Sequence, residues 1–375
     1  MVNSALELML KEIREQTELL VSGVADLEQQ INKILEAPDW VRPEKIYIVG
    51  CGDSFYAGLA CQQVFVRYTG VETQVWQALE FSRYIYSSVN PRSVVLAVSN
   101  SGEVARTVEC VVRANRQGAR TIGITRNTRS RLAEQSKSVV EVKIPSVVGV
   151  LPGTRSYLGS LVALAAFALT LGERLGAITP TEKHELKAYL KDLAAPMRAT
   201  IEANYITIGE YIHSEEVDIY HILGSGPNYG TAQFGTMKLL EAAGFVSIPQ
   251  GIEEWAHAQY FVTRPGTHVI VLAPKGCSHD RSLEIMPAVK TVGGKVIAVA
   301  EEDDEEVKQH ADFVWGITGI RNIREEFSPF LYSVPLELLA YHIAVKYNTV
   351  PLDFEGKPWK REENFRQIFH SRIVE

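Results

Sequence analysis

Ser99-Asn100-Ser101-Gly102-Glu103-Val104-Ala105-Arg106-Thr107 follows the apolar run Val94-Val95-Leu96-Ala97-Val98 and opens a helical pattern. Ser99, Ser101 and Thr107 offer hydroxyl donors, and Gly102 lets a ligand approach the backbone. The first N–H groups and the positive dipole end of a helix point to the same place. Such a cradle can hold a phosphate without any lysine or arginine. Nearby, Cys51 lies between Gly50 and Gly52, but no histidine adjoins it in sequence. It reads as a small packing residue rather than a nucleophile.

The elements that must carry these groups follow from apolar patterning. Residues 6–35 read as one long helix or two, interrupted near Gly23 and ended before Pro38. Short strands are expected at 46–49, 73–76, 94–98, 121–125 and 139–142, with helices at 54–68 and 103–116. Such alternation predicts a parallel sheet covered by helices. Helices at 154–171 and 182–211 then lead to a second series.

That series repeats the first. Ile46-Tyr47-Ile48-Val49-Gly50-Cys51-Gly52 recurs as Tyr220-His221-Ile222-Leu223-Gly224-Ser225-Gly226, an offset of 174. The same offset pairs Gly70 with Gly244, Glu80 with Glu254 and Phe81 with Trp255. One residue more pairs Gly118-Ala119 with Gly293-Gly294, and Ile122-Gly123-Ile124 with Ile297-Ala298-Val299. Where the first half has the serine cradle, the second has Ala273-Pro274-Lys275-Gly276. One phosphate site per chain is expected.

Composition narrows the partners. With 375 residues, 46% hydrophobic and 22% charged, the chain has the make-up of a soluble globular protein of two ordinary domains. A net charge of -7 and the lack of a basic stripe argue against nucleic acid. The acidic run Glu301-Glu302-Asp303-Asp304-Glu305-Glu306 reads as a solvated loop or helix start. Cys51, Cys61, Cys110 and Cys277 lie far apart with no C-x-x-C pair, pointing to neither zinc nor disulfides. The N-terminus lacks a signal-peptide pattern. The apolar stretch 158–171 is too short to span a bilayer. A cytoplasmic protein with no membrane partner is expected.

With these residues in place, the chain resembles the double sugar-isomerase-domain (SIS) proteins, in particular the isomerase half of glucosamine-6-phosphate synthase. The cues are Gly50-Cys51-Gly52-Asp53-Ser54 (family C-G-T-S), the cradle (S-Q-S-G-E-T-x-D-T), and Gly149-Val150 with Thr154-Arg155-Ser156-Tyr157 (G-V-A-S-T-K-A-F). Met237-Lys238-Leu239-Leu240-Glu241 (L-K-x-K-E) and Leu338-Leu339-Ala340-Tyr341-His342 complete them. The resemblance implies an α/β fold: two SIS domains, each a flavodoxin-like three-layer αβα sandwich on a parallel sheet, with a helical N-terminal segment. The divisions are 1–37 helical segment, 38–178 first SIS domain, 179–214 linking helix, 215–350 second SIS domain and 351–375 tail.

Carried over by residue, the resemblance assigns sugar-phosphate binding to Ser54, Ser99, Asn100, Ser101 and Thr107, with Gly52, Asp53 and Thr154 in the same motifs. It makes Glu241 the enediol-forming base, with Lys238 one helical turn earlier on the same face. Sixteen residues beyond Glu241, His257 matches a histidine that reaches a neighbouring subunit's site to help open the sugar ring. Moving a proton between adjacent carbons suits a partly desolvated Glu, and shuttling one near neutral pH suits His. No metal or organic cofactor is implied, and a homodimer is. His342, on an apolar helix, reads as a packing residue.

Three departures shift the expectation away from the synthase. Aligned on the family's C-terminal tail, His370 stands where a lysine forms a Schiff base, which histidine does not do in the same way. Lys357 or Lys360 could substitute. Asp53 replaces a hydroxyl residue, either to meet a cationic amino sugar or to cap the helix starting at Ser54. Glu254-Trp255-Ala256-His257-Ala258-Gln259 replaces E-L-K-H-G-P, a different loop. The glutamine-using domain finds no counterpart before Ile46. The expected activity is that of a phosphosugar isomerase or amino-sugar-phosphate deaminase. A fructosamine-6-phosphate deglycase and a non-catalytic phosphosugar-binding SIS protein are the alternatives.

Overall fold

The computed structural model describes residues 4–145, 151–352, 362–368 and 370–374. The apolar runs become two five-stranded sheets. The first comprises β1 (Lys45–Gly50), β2 (Glu72–Gln77), β3 (Ser93–Val98), β4 (Arg120–Thr125) and β5 (Ser138–Glu141), in the order β2-β1-β3-β4-β5. The second comprises β6 (Ile219–Gly224), β7 (Ser247–Gly251), β8 (Thr267–Leu272), β9 (Lys295–Glu301) and β10 (Phe313–Ile317), in the order β10-β9-β8-β6-β7. Read from its other edge, the second order is the same as the first. All the strand pairs are parallel. β3 and β8 are buried at every residue. An unbroken apolar run is what a sheet covered on both faces requires.

The repeat extends to register and backbone. Val49 lies opposite Ala97, and Leu223 lies opposite Val271. Gly52 has φ 53° and ψ -130°; Gly226 has φ 52° and ψ -128°. That region is closed to ordinary side chains, so both turns need glycine.

The chain divides into two compact units. The β1–β5 unit comprises Glu18–Val147, Arg155–Lys191 and Gly356–Glu375. In it the Asp53–Thr69 helix packs on the Arg155–Arg174 helix. The β6–β10 unit comprises Met1–Thr17, Val148–Thr154 and Asp192–Glu355. There the Pro329–Lys346 helix packs against both Pro227–Ala243 and Ala194–Ser214.

Several local expectations are corrected. The N-terminal helices, Ser4–Glu15 and Thr17–Leu35, part at Gln16 and not at Gly23. Gln16 is buried and its Nε2 donates to Glu337 Oε2 at 2.6 Å, which fixes the break. The stretch 182–211 forms two helices, Pro180–Asp192 and Ala194–Ser214. The acidic run is not simply solvated: Glu301 and Asp304 are buried, and Asp304 accepts from Val307 N–H as an N-cap. Finally, 158–171 lies in a 20-residue helix, Arg155–Arg174, long and apolar enough to cross a membrane by length and composition. Its most apolar window is 89% buried within the protein, so burial, not shortness, accounts for its composition.

Candidate active site

The cradle forms the loop after β3, where the strand order reverses between β1 and β3. That switch point is where open parallel sheets leave a crevice at their carboxyl ends. Ser99 N–H donates to Ile124 O at 3.0 Å, tying the loop to β4. Ser99 Oγ accepts from Gly102 N–H at 3.1 Å, and Ser101 Oγ accepts from Glu103 N–H at 3.2 Å. A hydroxyl that accepts from the backbone keeps its own hydrogen to donate. Gly102 has φ 70°, and a Cβ there would lie 2.0 Å from Ser130 Oγ. Asn100 Oδ1 is buried with no hydrogen-bond partner among the described residues. Thr107 is buried in the first turn of a helix that begins at Ala105, two residues later than expected.

A second loop reaches the same crevice from β1. Gly52 caps the helix and Asp53 is its first residue, so Asp53 does not serve as the cap. Its negative charge instead complements the helix dipole from the first turn, where Ser54 follows. Cys51 Sγ is approached by Gln77 Nε2 at 3.9 Å and Thr107 Oγ1 at 4.0 Å. Burial pushes its thiol pKa up, the opposite of what a nucleophile needs.

A cavity of about 730 Å³, open to solvent, adjoins the cradle and is lined by Ser101, Glu103, Arg126, Asn127, Glu141 and Lys143. Arg126 and Lys143, which no motif singles out, stand in that lining together with two carboxylates, and Lys143 pairs with Asp26 at 2.9 Å. His370 Nδ1 lies 3.2 Å from an Arg131 NH2 group, and Arg131 pairs with Glu103 at 3.0 Å. Gly149, Val150, Lys357 and Lys360 lie outside the described residues.

The remaining candidates belong to the β6–β10 unit. Lys238 and Glu241 share one face of the Pro227–Ala243 helix, with Nζ and Oε2 2.5 Å apart. Lys238 is fully buried, its ammonium 5.0 Å from the Phe234 ring centroid, and Glu241 is a quarter exposed. The ammonium fixes the carboxylate's rotamer. His257 ends the Ile252–His257 helix with its side chain 69% exposed, 3.4 Å from Glu253. Among the described residues no hydrogen bond or ion pair joins it to Glu241. Thr154 is buried, and its Oγ1 has no hydrogen-bond partner among the described residues. His342 packs against Tyr205 and Tyr341, and burial lowers its pKa to about 4.

A model of the SIS domain matches residues 41–170 and 215–347. The chain belongs to the SIS domain family. It is 29% identical over 342 residues to a glutamine–fructose-6-phosphate aminotransferase (isomerizing) of Thermus thermophilus. The match covers 90% of this chain and 56% of that relative, so the SIS chain spans little more than half its length. Its fold is that of the C-terminal domain of glucosamine-fructose-6-phosphate aminotransferase from Francisella tularensis. There the TM-score is 0.79 at 24% identity, covering 91% of this chain and 96% of that one. The fold is shared also with tagatose-6-phosphate ketose/aldose isomerase from Escherichia coli, with a TM-score of 0.76 at 16% identity, covering 96% and 99%.

Motif reading of the SIS chain passed over Glu109, Arg113 and Arg131. The spacing of Arg106, Glu109 and Arg113 is a legible signal, since residues three and four apart on a helix pair.

Proposed function

We propose that this SIS chain is a phosphosugar enzyme acting at carbons 1 and 2 of a plain or amino-substituted hexose 6-phosphate. The observation that carries the reading is the cradle. Two serine hydroxyls accept from the backbone and keep a hydrogen to donate, beside a buried Asn100 oxygen with no partner among the described residues, at the switch point of a parallel sheet. A buried acceptor of this kind is ordinarily satisfied, and a sugar hydroxyl can donate to it while the serine hydroxyls donate to the phosphate. Relatedness to an isomerizing aminotransferase supports the choice of a sugar phosphate.

In this reading Ser54, Ser99, Ser101 and Thr107 hold the phosphate. The Glu241 carboxylate takes the proton from one of the two carbons, the pair passes through an enediol or enolamine, and the proton returns to the other carbon. Lys238 holds Glu241 in place. His257 assists ring opening from a second copy of the chain. Support for a homodimer comes from the exposure of His257 and of Phe261 and Val262 just beyond it. The SIS halves run 38–178 and 215–350 about the linking segment 179–214.

A deglycase acting on a fructosamine 6-phosphate is the second reading, favoured by His370 where a Schiff-base lysine would stand. Incubation with fructose 6-phosphate, glucosamine 6-phosphate and a fructosamine 6-phosphate separates them, with aldose, ammonia and free amine as the respective products. If none turns over while a phosphosugar still raises Tm, the chain is a binding protein and the enzymatic reading fails.

A further inference from the structure

Residues 370–374 lie along the Ala105–Arg116 helix, whose first turn ends the cradle. Val374 N–H donates to Glu109 Oε2 at 2.9 Å, and Val374 O accepts from Arg113 Nε at 3.1 Å. Arg106 donates to Ser371 Oγ at 3.3 Å and also to Arg372 O. Ile373 packs against the buried apolar cluster that takes in Tyr47, Phe81, Val108 and Val111. Glu109 is fully buried and faces three guanidinium groups: Arg83 at 2.6 Å, Arg106, and Arg113 at 3.9 Å. One carboxylate for three cations leaves surplus positive charge, and the carbonyls of Arg372 and Val374 take it up. Terminal segments stay in place only when tied down, and charge-assisted bonds to a buried partner are strong ties.

At the other end of the segment, His370 meets Arg131, whose charge is balanced by Glu103 of the cradle. His370 therefore stands beside the loop that takes the phosphate. An imidazole suits a sugar hydroxyl, whereas the loop hydroxyls and helix N-terminus suit the anion.

We propose that Glu109 is a positioning residue: by gathering Arg83, Arg106 and Arg113 it holds 370–374 in place and so stands His370 where it contacts the sugar part of a bound phosphosugar. This rests on the phosphosugar reading above.

The test uses the full chain and two readouts. One is amide hydrogen exchange over 371–374; the other is affinity for fructose 6-phosphate and, separately, for inorganic phosphate. The variants are Glu109→Gln, Ile373→Asp and His370→Ala. Ile373→Asp acts on the segment alone and keeps the test open if Glu109→Gln does not fold. Both clamp variants should raise exchange and weaken fructose 6-phosphate about tenfold while inorganic phosphate changes less than about twofold. His370→Ala should weaken fructose 6-phosphate equally without raising exchange, and should add little to Ile373→Asp. Unchanged exchange in the clamp variants, or parallel loss of both ligands, overturns the proposal. A wild-type chain that binds neither ligand overturns the phosphosugar reading, and the exchange data then decide the clamp by themselves.

Discussion

Glu325 Oε2 accepts the N–H of Cys277 at 2.9 Å, in the loop after β8 that corresponds to the cradle after β3. The carboxylate also stands 3.9 Å from where a Cβ on Gly226 would be, and a Cβ on Gly276 would lie 2.3 Å from its Cδ. The switch point of the second sheet is thus filled by the protein's own anion. A phosphate there would meet like charge and an N–H already engaged.

Titration with inorganic phosphate, followed by calorimetry, should therefore saturate at one phosphate per chain. Ser101→Ala should weaken that binding and Glu325→Gln should leave its stoichiometry unchanged. Two phosphates per wild-type chain would contradict the asymmetry of the halves.

Two glycines should respond differently to alanine. Gly52→Ala meets no atom within 4 Å and suffers only from its backbone angles, a cost of about 1–3 kcal/mol. Gly102→Ala adds a clash with Ser130 to a left-handed φ, for about 2–4 kcal/mol in all. Denaturant unfolding of both variants measures the gap, and equal losses would mean that Ser130 yields without cost.

The Lys238–Glu241 pair should behave as one unit. A double-mutant cycle on unfolding free energy, with Lys238→Met and Glu241→Gln, should give a coupling of about 1–3 kcal/mol. Strict additivity would show that the 2.5 Å pair does not persist in solution.

Acid should weaken the fold through buried histidine. Burial lowers His342 from 6.5 to about 4, so the unfolded chain takes up a proton there before the native one. The stability that neutral His342 confers is full above pH 6.5 and lost as pH falls toward 4. Between pH 7.5 and 5 the loss is about 2 kcal/mol. His342→Phe should remove that part of the slope. An unchanged pH dependence in the variant would place the acid-sensitive group elsewhere.

The strands and the duplication were plain in the sequence because a sheet buried on both faces demands unbroken apolar runs and glycine at its turns. Val94 to Val98 and Gly52 with Gly226 carry that signal. The break at Gln16 was not plain. A lone glycine such as Gly23 costs a helix only about 1 kcal/mol, whereas the bond from Gln16 to Glu337 spans most of the chain. The cradle was legible because its chemistry is local. Glu325 and the 370–374 segment act through partners distant in sequence, which no local pattern reveals; the pairing of Glu109 with Arg106 and Arg113 is local, but its bonds to Arg83 and Val374 are not.

The proposed chemistry is tested most directly by exchange with solvent. The protein is incubated with fructose 6-phosphate in D2O, and deuterium at carbon 1 is followed by NMR for wild type and Glu241→Gln. Wild type should incorporate deuterium, and Glu241→Gln should incorporate none while binding inorganic phosphate as before. Exchange that persists in Glu241→Gln at the wild-type rate would contradict the assignment of Glu241 as the base.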